Sequence, residues 1–379
     1  MDKLRVGVIG YGYWGPNLTR NIYELPSAEL VALADLKEER RKQAISKYPQ
    51  LITTEDYHEL FDLRLDAIVV STPPATHYPI ARECLQHNLH VLIEKPMTLK
   101  SRDGEELIQL AESKGLTLMV GHTFEYNSAV QALKNLIDSG ELGKIYYLDA
   151  ARLNLGLFQR DSNVLWDLAP HDISIFLFLL GMNPISVSAQ GWSCLSEGIH
   201  DVGYINLVFP ENIPASIHVS WLDPCKVRRI TVVGSKKMAV FNDVENEQKI
   251  KIYDKSVDPP AYTSGFAEFQ WSYHSGDILI PKVPFIEPLR KECEVFINRC
   301  LLRQHQPTAE IQSARPAQDL APFGLAPQVC SVDPSCTVCG QNHHDGVFTC
   351  GRDGLRVVKI LEAAQHSMTK GQVPEVIQW

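Results

Sequence analysis

The 379-residue sequence predicts an α/β protein in two parts: a doubly wound parallel sheet at the N-terminus, then an α+β domain whose sheet is mostly antiparallel. Three observations predict it. Residues 1–121 alternate short apolar strands with helices, the pattern of a parallel sheet covered on both faces. The first strand runs directly into Gly10-Tyr-Gly12-Tyr-Trp-Gly15. From residue 185 onward, several strands follow one another with no helix between them, as in an antiparallel sheet.

Each element of the first part has a local reason. After the strand at 3–9, Gly10 permits a tight turn, Gly12 lets the backbone approach a pyrophosphate, and Gly15 lets the next helix lie close to the sheet. The N-terminus of that helix offers N–H groups and a positive dipole end to phosphates. A second strand, 29–34, ends on Asp35, which is placed to accept hydrogen bonds from ribose hydroxyls. Strand, glycine turn, helix and terminal acid together predict a dinucleotide-binding Rossmann unit. Asp35 repels a 2′-phosphate, so NAD is favoured over NADP. Arg40 and Arg41 either soften that preference or stand as solvated residues on the following helix. Then come a charged helix (37–48), a strand (66–72), a loop (73–77), a helix (81–87), a strand (90–94) that leads into Lys95-Pro96, a helix (101–114) and a strand (116–120).

The second part reads as a helix (128–138), a long strand (144–152), a helix near 167–180 and strands at 185–193, 202–208, 215–221, 226–233 and 238–241. Helices at 286–302 and 354–368 close the chain. The last places Leu355, Val358, Leu361, Ala364 and Met368 on one stripe, so it packs on a core. Residues 304–350 are rich in Pro, Gln, Ala and Ser and show few apolar periodicities, which predicts a disordered insertion or a stretch foreign to the parent fold. The expected domains are therefore 1–121 for the dinucleotide, 122–303 with 351–379 for substrate and assembly, and 304–350 as the insertion.

Composition narrows the function. Hydrophobic residues make up 45% and charged residues 21%, ordinary for a globular protein. A formal net charge of −9 argues against nucleic acid or an anionic membrane as the main partner. No apolar run reaches the ~18–20 residues that span a bilayer. The first strand begins almost at once, leaving no room for a signal peptide. These features predict a cytoplasmic protein with reduced thiols. Cys330, Cys336, Cys339, His343, His344 and Cys350 supply ligand types for structural zinc. Their spacing is irregular and lacks a second Cys-x-x-Cys pair, so no metal is expected.

Chemistry is expected at the carboxyl ends of the parallel strands. Lys95 follows one of them, either as an exposed lysine opening a loop or as an ammonium beside a coenzyme. Asp167 and His171 are four residues apart and share a helix face. They are either an N-cap with a buried histidine or a carboxylate with a general base suited to neutral pH. Thr72, Pro73, Pro74 and His77 end a strand beside the nucleotide crevice. Tyr13 and Trp14 pack either on the coenzyme or between helix and sheet. Arg152, Lys226, Arg228 and Arg229 are candidates by charge for an anionic substrate group, though strand alternation keeps Arg228 and Arg229 from sharing a pocket easily.

Gly10-x-Gly12-x-x-Gly15, the loop Ser71-Thr-Pro-Pro-Ala-Thr-His77, the tripeptide Glu94-Lys95-Pro96 and Asp167-x-x-x-His171-Asp172 occur in this order. Together they resemble the Gfo/Idh/MocA oxidoreductases over residues 1–302 and 351–379. The stretches 165–172 and 221–237 are similar to the nucleotide-sugar 3-dehydrogenase subgroup. The resemblance implies a sugar dehydrogenase that takes a secondary hydroxyl, at C3 of a substrate such as UDP-N-acetyl-glucosaminuronate, and passes hydride to NAD. It implies that Lys95, His171 and Asp167 are catalytic, with His171 as proton acceptor and Asp167 orienting the substrate or the imidazole. It implies that Gly10, Gly12, Tyr13, Trp14, Gly15, Asp35, Thr72, Pro73, Pro74, His77, Glu94 and Lys95 border the coenzyme. Tyr126, Asn127, Arg152 and Arg228 would meet substrate, and the chain would form a homodimer or homotetramer. Inositol or free-sugar dehydrogenation and a non-catalytic dinucleotide sensor are the alternatives. Many relatives carry Arg in a Phe-Arg-Tyr-Asn segment where this chain has Phe124-Glu125-Tyr126-Asn127, so no role of that Arg carries over.

Overall fold

The computed structural model describes residues 3–156, 158–159, 162–258, 271–304 and 347–379. The chain divides into two compact units. One comprises Met1–Tyr126 with Glu287–Val358, the other Asn127–Ile286 with Lys359–Trp379.

In the first unit the strands are β1 (Leu4–Ile9), β2 (Ala28–Ala34), β3 (Ile52–Thr54), β4 (Ala67–Val70), β5 (His90–Ile93) and β6 (Leu118–Val120). All pairs are parallel, in the order β3-β2-β1-β4-β5-β6. Every residue of β4, β5 and β6 is buried, as expected where helices cover both faces. The helices are α1 (Gly15–Glu24), α2 (Glu38–Lys47), α3 (Pro74–Gln86) and α4 (Ser101–Ser113). The strand order reverses beside β1, so the carboxyl ends of β1 and β4 flank the crevice where such sheets take ligands. Residues 74–77, expected in a loop, form the first turn of α3. Pro74 stands at the first helical position, where a missing N–H costs nothing.

The second unit contains α5 (Ser128–Asp138), β7 (Ile145–Leu155), α6 (Val164–Leu180), β8 (Ser186–Trp192), β9 (Val202–Phe209), β10 (Ile213–Ser220), β11 (Leu222–Gly234), β12 (Met238–Asn242), β13 (Ile250–Asp258) and β14 (Ser272–Leu279). With β15 (Glu375–Val376) they form a nine-stranded sheet, β14-β13-β12-β11-β7-β10-β9-β8-β15, in which β7–β10 is parallel and the other pairs are antiparallel. Alternate residues of β9 and β10 are buried beneath α6, whose Ile173, Phe176 and Leu177 are sealed from solvent.

Two helices complete the chain, α7 (Pro288–Gln304) and α8 (Gly351–Thr369). The sequence reading put α7 in the second domain; the structure packs it in the first. Its Cys293, Phe296, Ile297 and Cys300 lie in one buried cluster with Leu18 and Ile22 of α1 and Leu25 just after it. Apolar spacing reveals that a helix has a buried face, not which surface receives it. The first unit also extends to Tyr126 instead of stopping at 121. The end of the expected insertion belongs to it as well. Thr349 and Cys350 are buried, and Thr349 O accepts the Val120 N–H at 2.9 Å. Residues 305–346 of that insertion, with Cys330, Cys336, Cys339, His343 and His344, lie outside the described residues. Strand β3 has three residues, and β14 is exposed throughout, so neither shows an alternation that sequence reading can find.

Candidate active site

Backbone geometry makes the dinucleotide cradle in the first unit. Gly10 has φ +98°, and a Cβ there would stand 2.6 Å from the Ser71 carbonyl oxygen. A Cβ on Gly15 would stand 2.3 Å from the Gly10 oxygen. Neither position admits a side chain. Helix α1 begins at Gly15 with no side-chain cap and no acid in its first turn, which leaves its N–H groups and positive dipole end available to an anion. Beside it Tyr13 is 84% exposed and Leu36 78%, giving apolar surface on the rim of the cradle. The residues present therefore fit a dinucleotide. Leu36 escaped the sequence reading because a lone exposed leucine carries no signal of its own.

Asp35 closes β2 as expected, but it is already heavily bonded. Its Oδ2 accepts the Tyr11 N–H at 2.7 Å and Arg40 Nη1 at 3.3 Å, and its Oδ1 accepts the Lys37 N–H at 2.8 Å. A carboxylate offers roughly four acceptor positions, so one remains, on Oδ1, for a ribose hydroxyl. The Arg40 guanidinium also lies 3.6 Å from where a Gly12 Cβ would be, and Arg41 donates to the Asp35 carbonyl at 2.7 Å. Both arginines thus turn back onto the end of β2.

At the end of β5, Glu94, Lys95 and Pro96 form a tight group. Glu94 Oε2 accepts the Lys95 N–H at 3.2 Å, and the Trp14 side chain also bonds this carboxyl. Lys95 is half-buried and faces the fully buried His122, whose pKa is pushed down to about 3, first by burial and then by the lysine charge. His77 corrects an expectation. It is 1% exposed, with Nδ1 2.9 Å from Pro96 O and Nε2 2.8 Å from Thr72 O. It straps two loops together and does not line the crevice. Thr72 and Pro74 are half-buried and Pro73 is exposed, with the Thr72 methyl 3.0 Å from the Gly10 Cβ position.

In the second unit, α6 starts three residues before the expected helix. Asn163 caps it, its Oδ1 accepting from Leu165 N and Trp166 N, so Asp167 is not an N-cap. Asp167 and His171 are both half-buried, one turn apart. Asp167 Oδ2 accepts the Trp221 indole N–H at 3.0 Å, from a tryptophan that is itself 1% exposed. Pro170 falls inside the helix, so the Trp166 carbonyl lacks its helical donor.

Three expected substrate contacts are engaged in structure instead. Arg152 is 6% exposed and bonds Asp172 through both Nε and Nη2. Its fork is committed to that carboxylate and does not face a surface phosphate. Tyr126 is 2% exposed, and its hydroxyl accepts the Thr349 N–H at 3.1 Å. Asn127 caps α5, its Oδ1 accepting from Ala129 N at 2.9 Å. Arg228 remains half-exposed beside Asp243 at 3.3 Å, and Arg229 is exposed, the two alternating along β11. The structure thus gathers Gly10, Gly12, Gly15, Asp35, Thr72, Glu94 and Lys95 in the first unit, and Asp167 and His171 on α6 in the second.

Comparison with known proteins matches one family model to each of two stretches of the chain. Residues 4–122 match the oxidoreductase family NAD-binding Rossmann fold, and residues 130–240 match the GFO/IDH/MocA C-terminal domain. The chain belongs to the Gfo/Idh/MocA oxidoreductase family. It is 30% identical to UDP-N-acetylglucosamine 3-dehydrogenase of Acidithiobacillus ferrooxidans, over 52% of this chain and 61% of that protein. It is 28% identical to the scyllo-inositol 2-dehydrogenase (NADP(+)) IolW of Bacillus subtilis, over 71% of this chain and 77% of that one. The WlbA dehydrogenase of Bordetella pertussis, solved with NADH and UDP-GlcNAcA, shares the fold with a TM-score of 0.71 at 21% identity, covering all of this chain and 99% of that one. Among the described residues, no helix is long and apolar enough to cross a membrane.

Proposed function

We propose that this family member is an NAD-dependent dehydrogenase that oxidises a secondary hydroxyl, at C3, of a nucleotide sugar such as UDP-N-acetyl-glucosaminuronate. The observation that carries this reading is the face of α6: a carboxylate held by Trp221 one turn before a half-exposed imidazole. In this reading His171 takes the hydroxyl proton, since an imidazole is well matched to that task near neutral pH. Asp167 orients the hydroxyl-bearing carbon. Lys95, at the end of β5 beside the cradle, is the catalytic group of the first unit. The coenzyme, when bound, supplies the hydride acceptor; Gly10, Gly12, Gly15, Asp35 and the α1 N-terminus hold it. Arg228, half-exposed on β11, is the cation assigned to a substrate phosphate. The similarity to UDP-N-acetylglucosamine 3-dehydrogenase supports this substrate class.

A second reading, inositol or free-sugar oxidation, is favoured by one observation: Arg152, a candidate for a diphosphate, is bound to Asp172. A non-catalytic sensor is disfavoured by the retained Lys95 and His171. We further propose a cytoplasmic homodimer or homotetramer with no nucleic-acid or membrane partner. The exposed Tyr273, Ile278 and Leu279 on the edge strand β14 support assembly.

The test is reduction of NAD(+) and NADP(+) by the purified protein with UDP-N-acetyl-glucosaminuronate, UDP-N-acetylglucosamine, myo-inositol, scyllo-inositol and glucose. Turnover with a UDP-sugar that is lost in Lys95→Met and His171→Ala supports the first reading. Turnover with a polyol alone selects the second. Full activity in both variants overturns the assigned roles.

A further inference from the structure

The first unit buries more carboxyl than it bonds. Glu94 Oε1 and both oxygens of Glu292 are sealed from solvent, and beyond the Thr123 side chain beside Glu292 these oxygens find no hydrogen-bond partner. Glu292 stands on α7 and is fully buried. An ionised carboxylate without partners is strongly disfavoured in such surroundings, and two neighbouring carboxyls cannot both ionise there near neutral pH. Burial pushes both up, Glu94 to about 7, and the Glu94 charge raises Glu292 well beyond the ordinary carboxylate range. Glu94 accepts from the Lys95 N–H and the Trp14 side chain and feels the Lys95 charge, whereas Glu292 has only Thr123 beside it, so Glu292 is the acid that stays neutral and Glu94 the member that titrates.

The position of Glu94 makes its charge consequential. It joins three strand ends: the turn after β1 through Trp14, the end of β5 through the Lys95 N–H, and the end of β6 through Gly121, where a Cβ would stand 3.2 Å from Oε1. Asp35 ends β2 and the glycine turn leaves β1, so the adenosine half of a dinucleotide belongs on the β2 side. The other half then extends over β4 and β5, toward Glu94. A nicotinamide ring is cationic when oxidised and neutral when reduced.

We propose that Glu94 is a proton site linked to the redox state of the bound coenzyme: it releases a proton to solvent when oxidised coenzyme binds and holds it when reduced coenzyme is bound. This rests on the dinucleotide reading of the first unit and is independent of the substrate. The other titratable and charged groups facing the pair are Lys95 at the end of β5, His122, Glu125 and Tyr126 after β6, and Cys293 on α7, with Arg20 and Glu287 further out. Burial keeps His122, Tyr126 and Cys293 neutral in this range. Lys95 is the neighbouring cation, so its neutral variant serves as the control.

The test is titration calorimetry of the full chain with NAD(+) and NADH, or the 2′-phosphorylated pair if it binds more tightly. Phosphate and Tris buffers are compared near pH 7, because their ionisation heats differ and count protons. The expected result is release of up to about one proton with oxidised coenzyme and little with reduced. In the wild type, the ratio of oxidised to reduced Kd should fall up to about tenfold per pH unit below the midpoint and level off above it. Glu94→Gln should abolish the difference. Glu292→Gln, which replaces a neutral acid by a neutral amide, should preserve it. Equal proton counts for the two redox forms overturn the proposal. So does release that survives Glu94→Gln but disappears in Lys95→Met, or release that disappears in Glu292→Gln. Failure of either coenzyme pair to bind overturns the dinucleotide reading itself, a separate result.

Discussion

The Arg152 guanidinium holds the Asp172 carboxylate at two points, Nε to Oδ2 at 2.7 Å and Nη2 to Oδ1 at 2.9 Å, with both side chains almost wholly buried. The pair ties β7 to α6 at the residue after His171. Together with the bond from Trp221 to Asp167, it fixes the rotation of α6 about its axis and hence the direction of the imidazole.

Breaking that pair should therefore be costly in two ways. Removing one partner of a buried ion pair leaves an uncompensated charge and costs about 3–5 kcal/mol, whereas removing both is often tolerated. Arg152→Met should lower the stability measured by urea unfolding by that amount. The double variant Arg152→Met/Asp172→Leu should recover most of it. In Asp172→Asn, which keeps the shape, kcat should fall more than tenfold with little change in coenzyme Kd, since the cradle lies in the other unit.

Coenzyme preference should turn on Arg40. Its guanidinium occupies an acceptor position on Asp35 Oδ2 that a ribose diol would use, and it is the cation nearest that carboxylate. Arg40→Ala should weaken NADP(+) binding by about tenfold or more, the scale of one charge-assisted contact, and leave NAD(+) binding equal or tighter. Calorimetric Kd values for the two coenzymes check this. An unchanged NADP(+) affinity would show that the arginine serves only Asp35.

The glycines of the turn should differ in their tolerance. In Gly15→Ala the new methyl meets the Gly10 carbonyl at 2.3 Å, backbone against backbone, so helix and turn must separate. A loss of about 1–3 kcal/mol and of coenzyme binding is expected. In Gly12→Ala the methyl meets only the tip of Arg40 at 3.6 Å, so thermal stability should hold while coenzyme affinity drops. Melting temperatures with and without NAD(+) separate the two cases.

Much of this was readable in the chain because its signals are local. Gly10, Gly12, Gly15 and Asp35 are set by short-range backbone demands, so their spacing reveals their place. So are the buried strands, whose apolar runs need no knowledge of what covers them. Arg152 and Tyr126, both misplaced, share a different property: their partners are remote, whereas Asn127 simply caps the helix that follows it. Arg152 reads as a free cation until Asp172 is brought to it across 20 positions, and Tyr126 reads as a substrate contact until Thr349 arrives from 223 positions away. The helix α7, with Glu292, reads as part of the second domain because its stripe matches any apolar surface. His77 belongs to a recognisable motif, yet only the fold shows that its ring lies between Thr72 O and Pro96 O.

Buried histidines should make the fold acid-sensitive in a window set by their own shifts. Burial lowers the pKa of His90 to about 4 and that of His122 to about 3, against about 6.5 in an unfolded chain. His90 is further fixed as neutral because its Nδ1 accepts the Thr117 N–H at 2.8 Å. Below pH ~6.5 the unfolded chain binds protons that the folded one refuses, so their contribution is complete above that pH and is lost as pH falls toward 4. The slope is at most about 1.4 kcal/mol per pH unit for each histidine. Glu94 and Glu292 work in the opposite direction. Their raised values favour the folded state at low pH, and that advantage fades as pH rises above the ordinary carboxylate range. The net curve mixes both, so the informative quantity is a difference. Between pH 6 and 5, His122→Asn should flatten the dependence of unfolding free energy on pH by about one proton relative to the wild type. Urea unfolding at four or five pH values measures it, and an unchanged slope would mean that the folded protein protonates His122 as readily as the unfolded chain does.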